Sequence, residues 1–232
     1  ETFMRLYIIR HADPDYPRKT ITEAGRREAA ALAERLSGER LDRLFSSPLG
    51  RAVHTAEYTA RRVGLPIEQR QWLQELGGLR MADGPHAGLM IWDAAGATLR
   101  DGRRVGDLHP EIAVAEFQAE IDRVRRDSDA FLAELGFVRE GHLYRVAGGG
   151  PRRAAVFCHG GLGLTWLAHL LDIPVTTMWA GFWLPPSSVT TVLLDERTPG
   201  TAAPRCLCVG DTSHLYAAGL PIQPSGIKAN FD

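Results

Sequence analysis

The sequence predicts an α/β protein: a three-layer α/β/α sandwich built on a mainly parallel sheet, with an inserted lid region. Three observations carry that prediction. Apolar, β-branched segments such as Met4–Arg10 and Ala154–Cys158 stop abruptly at a histidine and a loop, as buried strands do. Segments with helical spacing and recognisable caps lie between them. The length of 232 residues, 44% apolar and 24% charged, suits one globular domain spanning 1–232, with residues 77–150 inserted within it.

The elements follow in order. After the first strand, Thr22 can cap a helix running to about Ser37, with Glu23 in its first turn and Gly38 just past its end. Leu41–Phe45 reads as a short strand. Ser47-Pro48 opens a second helix, with proline where its missing N–H costs least, and Gly64 closes it. Leu65-Pro66-Ile67 starts a third extended piece. From Gly77 to Pro110 there is no sustained period, only glycines and scattered Met81, Met90 and Trp92; this predicts a long loop or lid. Val114, Phe117, Ile121, Val124, Phe131 and Leu135 then mark one face of a long amphipathic helix. Phe137–Val146 reads as a hairpin turning at Glu140-Gly141. Ala154–Cys158 feeds a helix from about Leu162 to Leu171, and Ser188–Leu194 and Arg205–Val209 supply two late strands.

Composition removes several function classes. The net charge is −1 and there is no basic run, which argues against a nucleic-acid partner. The longest apolar run, Leu162 to Leu171, is interrupted by Gly163, Thr165 and His169 and falls far short of the ~20 residues of a membrane span. Three cysteines make no disulfide framework, and the chain enters a strand directly without a signal-peptide pattern, so a cytoplasmic protein is expected. Lys19 and Lys228 are the only lysines and neither lies in a motif.

The chemistry-bearing residues cluster by context. His11 and His159 each follow a buried strand, and in open α/β sheets ligands bind beyond the carboxyl ends of the strands. Arg10 precedes His11. Arg51 lies in the first turn of the second helix, where exposed amides and a guanidinium both favour an anion. Gly160 and Gly161 let the backbone approach a ligand at another helix start. Two arginines and two helix ends would balance a phosphate of charge roughly −1.5 to −2.

Taken in order, LYIIRHADPDY, ITEAGRREA, SSPLGRAVHTAE, WLQEL, FCHGG and GDTSHL resemble the histidine phosphatase superfamily, with its phosphoglycerate mutase-like fold. The resemblance covers Met4 to about Glu75 and about Ala154 to Leu215. It implies that His11 attacks phosphorus in line and becomes a phosphohistidine that water hydrolyses, while Arg10, Arg51, His159 and Gly160 hold the phosphoryl group. His159 joins His11 in the catalytic set. Glu75 matches the position of the general acid that protonates the leaving oxygen, with Asp83 and Asp13 as alternatives. His214, Trp92 and Asp13 are expected to line the substrate pocket. No cofactor and no metal is implied.

The sequence departs from the family pattern at several points. Ala12 replaces the usual glycine after the first histidine, and Cys158 stands where serine often precedes the second. Leu76-Gly77-Gly78 and the DPDY segment differ from the corresponding mutase patterns. A phosphatase acting on a small-molecule phosphomonoester is therefore expected ahead of a phosphoglycerate-mutase-type phosphotransferase or a non-catalytic phospho-ligand-binding protein. A cysteine phosphatase would need arginine six residues after Cys158, where Leu164 stands. No P-loop, H-E-x-x-H or paired C-x2-C occurs, and Cys206-x-Cys208 reads as core. Trp179, Phe182 and Trp183 read as core or pocket wall.

Overall fold

The computed structural model describes residues 3–80, 88–93, 114–148 and 150–227. Its strands are β1 (Phe3–Arg10), β2 (Pro14–Asp15), β3 (Thr20–Ile21), β4 (Arg43–Ser46), β5 (Ile67–Gln69), β6 (Phe137–Glu140), β7 (Leu143–Val146), β8 (Arg153–Cys158), β9 (Val189–Thr198) and β10 (Thr201–Asp211). The helices are α1 (Glu23–Ser37), α2 (Gly50–Val63), α3 (Val114–Glu134), α4 (Gly160–Leu171), α5 (Val175–Gly181) and α6 (Ser213–Ala217).

Eight strands form one sheet in the order β5-β4-β8-β1-β9-β10-β7-β6, and β2 and β3 make a separate small ribbon. The run from β5 to β1 is parallel, while β1/β9, β9/β10, β10/β7 and β7/β6 are antiparallel contacts. Only β7 and β9 thus run against the common direction, and the sheet is mixed but mostly parallel. The two late strands are a hairpin turning at Gly200, whose φ of +82° needs the left-handed region.

Alternation on β1 builds the three layers. Tyr7 and Ile9 face Leu32, Leu36 and Ala56 of α1 and α2. Met4, Leu6 and Ile8 face the opposite core, shared with Phe117, Ile121 and Val124 of α3 and Leu164, Trp166 and Leu167 of α4. Each fully buried Leu, Ile or Phe there contributes roughly 1.5–3 kcal/mol. Phe117, Ile121, Val124, Phe131 and Leu135 of the expected stripe are all buried.

Within the 77–150 insertion, the helix and hairpin are integral parts of the domain. β7 and β6 extend the main sheet, and Phe137 and Tyr144 join the α3/α4 core. Only residues 77–80 and 88–93 of the expected lid are described; Arg80 bridges Met90, and Ile91–Asp93 forms one 3-10 turn. Asp83 and His86 lie outside the described residues.

Caps behave as the residue types dictate. Thr22 accepts the Gly25 amide at 3.0 Å, and Gly64 ends α2 in the left-handed region at φ +74°. α2 begins at Gly50, not at Ser47-Pro48: the Ser47 hydroxyl instead accepts the Leu49 amide at 3.2 Å. Gly50 is required by packing, since a Cβ there would lie 2.2 Å from the Lys19 carbonyl oxygen. Cys206 and Cys208 are half-buried at a bulge of β10, and Cys206 packs against the main core as expected.

Glu28 is a buried carboxyl, 1% exposed, whose Oε2 accepts the Asp13 amide at 2.9 Å while Oε1 has no hydrogen-bond partner. Burial pushes its pKa up to about 7, against the pull of the Asp13 amide. Because the folded state binds this proton more tightly, the contribution is complete below the unfolded value near 4.5 and is lost as pH rises through about 7. The upper limit is about 3 kcal/mol. Glu28→Gln should therefore gain several degrees in Tm over the parent at pH 8.5 relative to pH 5.5, in paired thermal melts.

Candidate active site

The four adjacent strands β5, β4, β8 and β1, which pair in parallel, each lead into a polar group at the same end. β1 ends at Arg10 and leads into His11; β4 ends at Ser46 and leads into Ser47; β8 leads into His159; β5 leads through a 3-10 turn, Gln71–Leu73, to Glu75. This is the edge where parallel α/β sheets place their ligands, because the loops there are free of the sheet ladder.

His11 is 2% exposed and held on every side by backbone contacts. Its amide donates to the Cys158 carbonyl at 2.9 Å, and its carbonyl accepts the Ser187 amide at 3.1 Å. The next amide, Ala12 N–H, donates to Thr55 Oγ1 at 3.0 Å, and that hydroxyl donates to the Arg51 carbonyl at 2.7 Å, so the β1 loop and α2 are fixed together. Ala12 does not use the left-handed region, so the missing glycine costs nothing.

The ring chemistry follows from its partners. His11 Nδ1 lies 2.8 Å from the Ala12 carbonyl oxygen, which can only accept, so Nδ1 carries the proton. Nε2 keeps its lone pair and accepts the Arg51 Nε–H at 3.2 Å. Burial first, then the charges of Arg10 and Arg51, hold His11 well below the ordinary histidine pKa. The ring is therefore neutral at physiological pH, with Nε2 as its unprotonated nitrogen.

His159 is fully buried, its ring centroid 5.2 Å from that of His11, and Nε2 shares a 2.8 Å hydrogen bond with Ser47 Oγ. Its Nδ1 has no partner. Burial, the neighbouring His11 and both arginines keep it neutral as well. The sequence treated Ser47 as a helix opener; its second role was signalled only by its place after β4.

Arg10, 6% exposed, donates from Nη1 to the Leu184 carbonyl at 2.6 Å, and its Nε is unpaired. Gly160 packs beside that guanidinium. Arg51 lies over the Tyr16 ring at 5.4 Å. Glu75 takes the start of α4: Oε1 accepts the Leu162 amide at 2.7 Å and the Leu76 amide at 3.0 Å, and Oε2 the Gly161 amide at 3.1 Å. A carboxylate favours that helix end. The sequence had expected those amides to meet a ligand; Glu75 meets Gly161 and Leu162 instead. Burial outweighs the three N–H donors, so the Glu75 pKa is raised.

Arg10, His11, Arg51, Glu75 and Gly160 line a cavity of about 390 Å³, with Tyr16, Met90, Trp92, Leu164, Phe182, Trp183 and Leu184 forming an apolar wall, whereas the fully buried His159 is not among its lining residues. Trp92 sits so close to α4 that a Cβ on Gly161 would fall 2.5 Å from its ring. Asp93, one residue on, is a half-buried carboxyl in the same wall. The sequence did not find it, because a three-residue turn inside an aperiodic segment has no pattern.

Two expected pocket residues lie elsewhere. Asp13 accepts Thr22 Oγ1 at 2.8 Å and Ser225 Oγ at 2.6 Å, tying the C-terminal segment to the β1 loop rather than facing the cavity. His214, 4% exposed, shares a 3.1 Å hydrogen bond with Ser187 Oγ, and burial pushes its pKa down to about 4. It supports Ser187, whose φ of +58° turns its amide onto His11. Phe182 and Trp183 line the cavity, while Trp179 is buried in the core. His54 accepts or donates only to Thr20 Oγ1, at 2.6 Å. Among the described residues no three His, Cys, Asp or Glu side chains converge as a metal site, and no helix is long and apolar enough to cross a membrane.

Residues 6–127 match the model of the histidine phosphatase superfamily (branch 1). The chain belongs to that superfamily. Comparison with curated proteins finds no match. Among solved structures, a mycobacterial glucosyl-3-phosphoglycerate phosphatase is 23% identical with a TM-score of 0.61, covering 90% of this chain and 99% of its own. A phosphoserine phosphatase from Entamoeba histolytica is 19% identical with a TM-score of 0.62, covering 91% and 99%. A candidate alpha-ribazole-5'-P phosphatase from Escherichia coli is 24% identical with a TM-score of 0.59, covering 89% and 97%. These likenesses establish a shared fold with histidine-phosphatase structures.

Proposed function

We propose that the protein is a metal-independent phosphatase that hydrolyses a small-molecule phosphomonoester through a phosphohistidine on His11. The observation that carries this reading is the ring of His11, with Nδ1 committed to Ala12 and Nε2 unprotonated beside Arg51. In the first half-reaction Nε2 attacks phosphorus, the ester P–O bond breaks, and its electron pair leaves on the alcohol oxygen. Glu75, protonated through burial and the incoming phosphate, gives its proton to that oxygen. In the second, water attacks phosphorus, Glu75 takes the proton of the water, the P–N bond breaks with its electron pair returning to Nε2, and phosphate departs.

Arg10 and Arg51 offset the phosphoryl charge as it develops. Two unpaired buried nitrogens, Arg10 Nε and His159 Nδ1, support an anion in the site, since such donors otherwise cost stability. With Ser47 Oγ–H donating to its Nε2, His159 presents Nδ1–H as a donor. The family name and the named activities of the structural neighbours agree with phosphate-ester chemistry.

Incubation with a range of phosphomonoesters tests the reading: free phosphate is the expected product. Interconversion of phosphoglycerate isomers without release of phosphate would assign a mutase instead. Activity is expected to survive exhaustive dialysis against EDTA unchanged, and a loss restored by a divalent cation would overturn metal independence.

A further inference from the structure

We infer that Asp93 determines specificity: its carboxylate receives a hydrogen-bond donor, ammonium or hydroxyl, carried by the leaving group of the phosphoester. The inference rests on the phosphatase reading and concerns the part of the pocket beyond the phosphoryl group.

The charged side chains lining the cavity are the guanidiniums of Arg10, Arg51 and Arg80 and the carboxyls of Glu75 and Asp93. Arg10 and Arg51 flank His11 and answer the phosphoryl group. Arg80 is exposed and donates from Nη1 to the Gly88 carbonyl at 2.7 Å. The Glu75 oxygens are occupied by three backbone amides. Asp93 differs from all of these. It is half-buried in the wall, next to Trp92 and the Ile91 anchor, and among the described residues its carboxyl oxygens accept no hydrogen bond and lie in no ion pair. Gly226 stands between it and Arg10: a Cβ built there lies 3.4 Å from Arg10 Nη2 and 3.7 Å from Asp93 Oδ1.

A carboxyl placed in this way has lone pairs directed at a region the substrate must fill. Burial raises its pKa to about 6, opposed by Arg10, so it is mostly ionised at neutral pH. An ionised group beside a phosphate dianion repels a leaving group that brings a further carboxylate and attracts one that brings a donor. The apolar side chains of Met90, Trp92 and Phe182 in the same wall lower the local polarity and strengthen both effects. A site arranged to hydrogen-bond a substrate group discriminates strongly against analogues that lack it.

The experiment compares four alkyl phosphates of similar size and leaving-group chemistry: ethyl phosphate, 2-hydroxyethyl phosphate, phosphoethanolamine and phosphoglycolate. For the unmodified protein, kcat/KM is expected to be about tenfold or more higher for phosphoethanolamine or 2-hydroxyethyl phosphate than for ethyl phosphate, and lowest for phosphoglycolate. The comparison of phosphoethanolamine with 2-hydroxyethyl phosphate separates ammonium from hydroxyl recognition. In Asp93→Asn the ammonium preference should collapse and phosphoglycolate should gain relative to ethyl phosphate, and Asp93→Ser should repeat the change. An unchanged rank order in both variants, or an equal loss on all four esters, overturns the inference. Failure of the unmodified protein to release phosphate from any of them, or from nitrophenyl phosphate, would instead remove the phosphatase reading on which it rests.

Discussion

Alanine in place of His11 is expected to lower kcat on every phosphomonoester by about 10⁴-fold or more, while the protein stays folded and still binds inorganic phosphate. The size of the effect follows from what is removed. On the proposed mechanism Nε2 forms the covalent bond, and among the described residues lining the cavity His11 is the one that offers an unprotonated ring nitrogen. Water left in the space lacks the fixed direction that Ala12 and Arg51 impose on the ring. The fold should tolerate the change, because the surrounding backbone contacts, Cys158 to His11 and Ser187 to His11, involve main-chain atoms only. Burying a ring between two guanidinium groups is also not a source of stability. Circular dichroism, phosphate binding by calorimetry and single-turnover kinetics on the same preparation would show this combination; comparable kcat in the variant would remove His11 as nucleophile.

Replacement of Glu75 by glutamine carries the second large effect, and its signature is selectivity among leaving groups. An alkyl alcohol is a poor leaving group unless protonated, so turnover of an alkyl phosphate should drop by about 10²–10⁴-fold. Nitrophenolate departs as a stable anion, and the loss on nitrophenyl phosphate should be far smaller. Glutamine can still accept the Leu162 and Leu76 amides through its one oxygen, while the Gly161 amide loses its acceptor. The pH dependence has a definite sign. The active form needs His11 unprotonated and Glu75 protonated. A lowered His11 pKa moves the acid limb of the profile well below the ordinary histidine range, and a raised Glu75 pKa moves the alkaline limb upward from 4.5. Activity should therefore peak on the acidic side and decline as Glu75 loses its proton. In Glu75→Gln that alkaline decline should vanish; its persistence would assign the limb to another group.

Much of the catalytic geometry was legible in the sequence because it depends on local features. A buried strand followed by histidine puts that histidine at the strand's carboxyl end, and the cap pattern around Thr22 and Gly64 fixed α1 and the end of α2. Parallel pairing of β1, β4 and β8 then brings residues far apart in sequence into one cavity. What was not legible depends on side-chain direction and long-range packing. Asp13 lies two residues after His11, yet the chain turns there and its carboxyl meets Thr22 and Ser225. His214 follows β10 at the correct end of the sheet but lies beneath Ser187. Asp93 owes its place to the burial of Ile91 and the Arg80–Met90 bridge, neither of which leaves a periodic signal. The β6–β7 hairpin is legible at Glu140-Gly141, but the pairing of β9 with β1 and β10 is not, because strand direction is set by connections and the turn at Gly200 leaves two strands that read as separate.

The most direct measurement is acid-free quenching of a single turnover, followed by peptide mass spectrometry under neutral to alkaline conditions that preserve phosphoramidates. A transient phosphoryl group on the peptide that contains His11, absent from His11→Ala and discharged by water at the rate of phosphate release, is the predicted result. Phosphate release at full rate with no phosphorylated peptide at any time point, or a phosphoryl group carried on another residue, would contradict it.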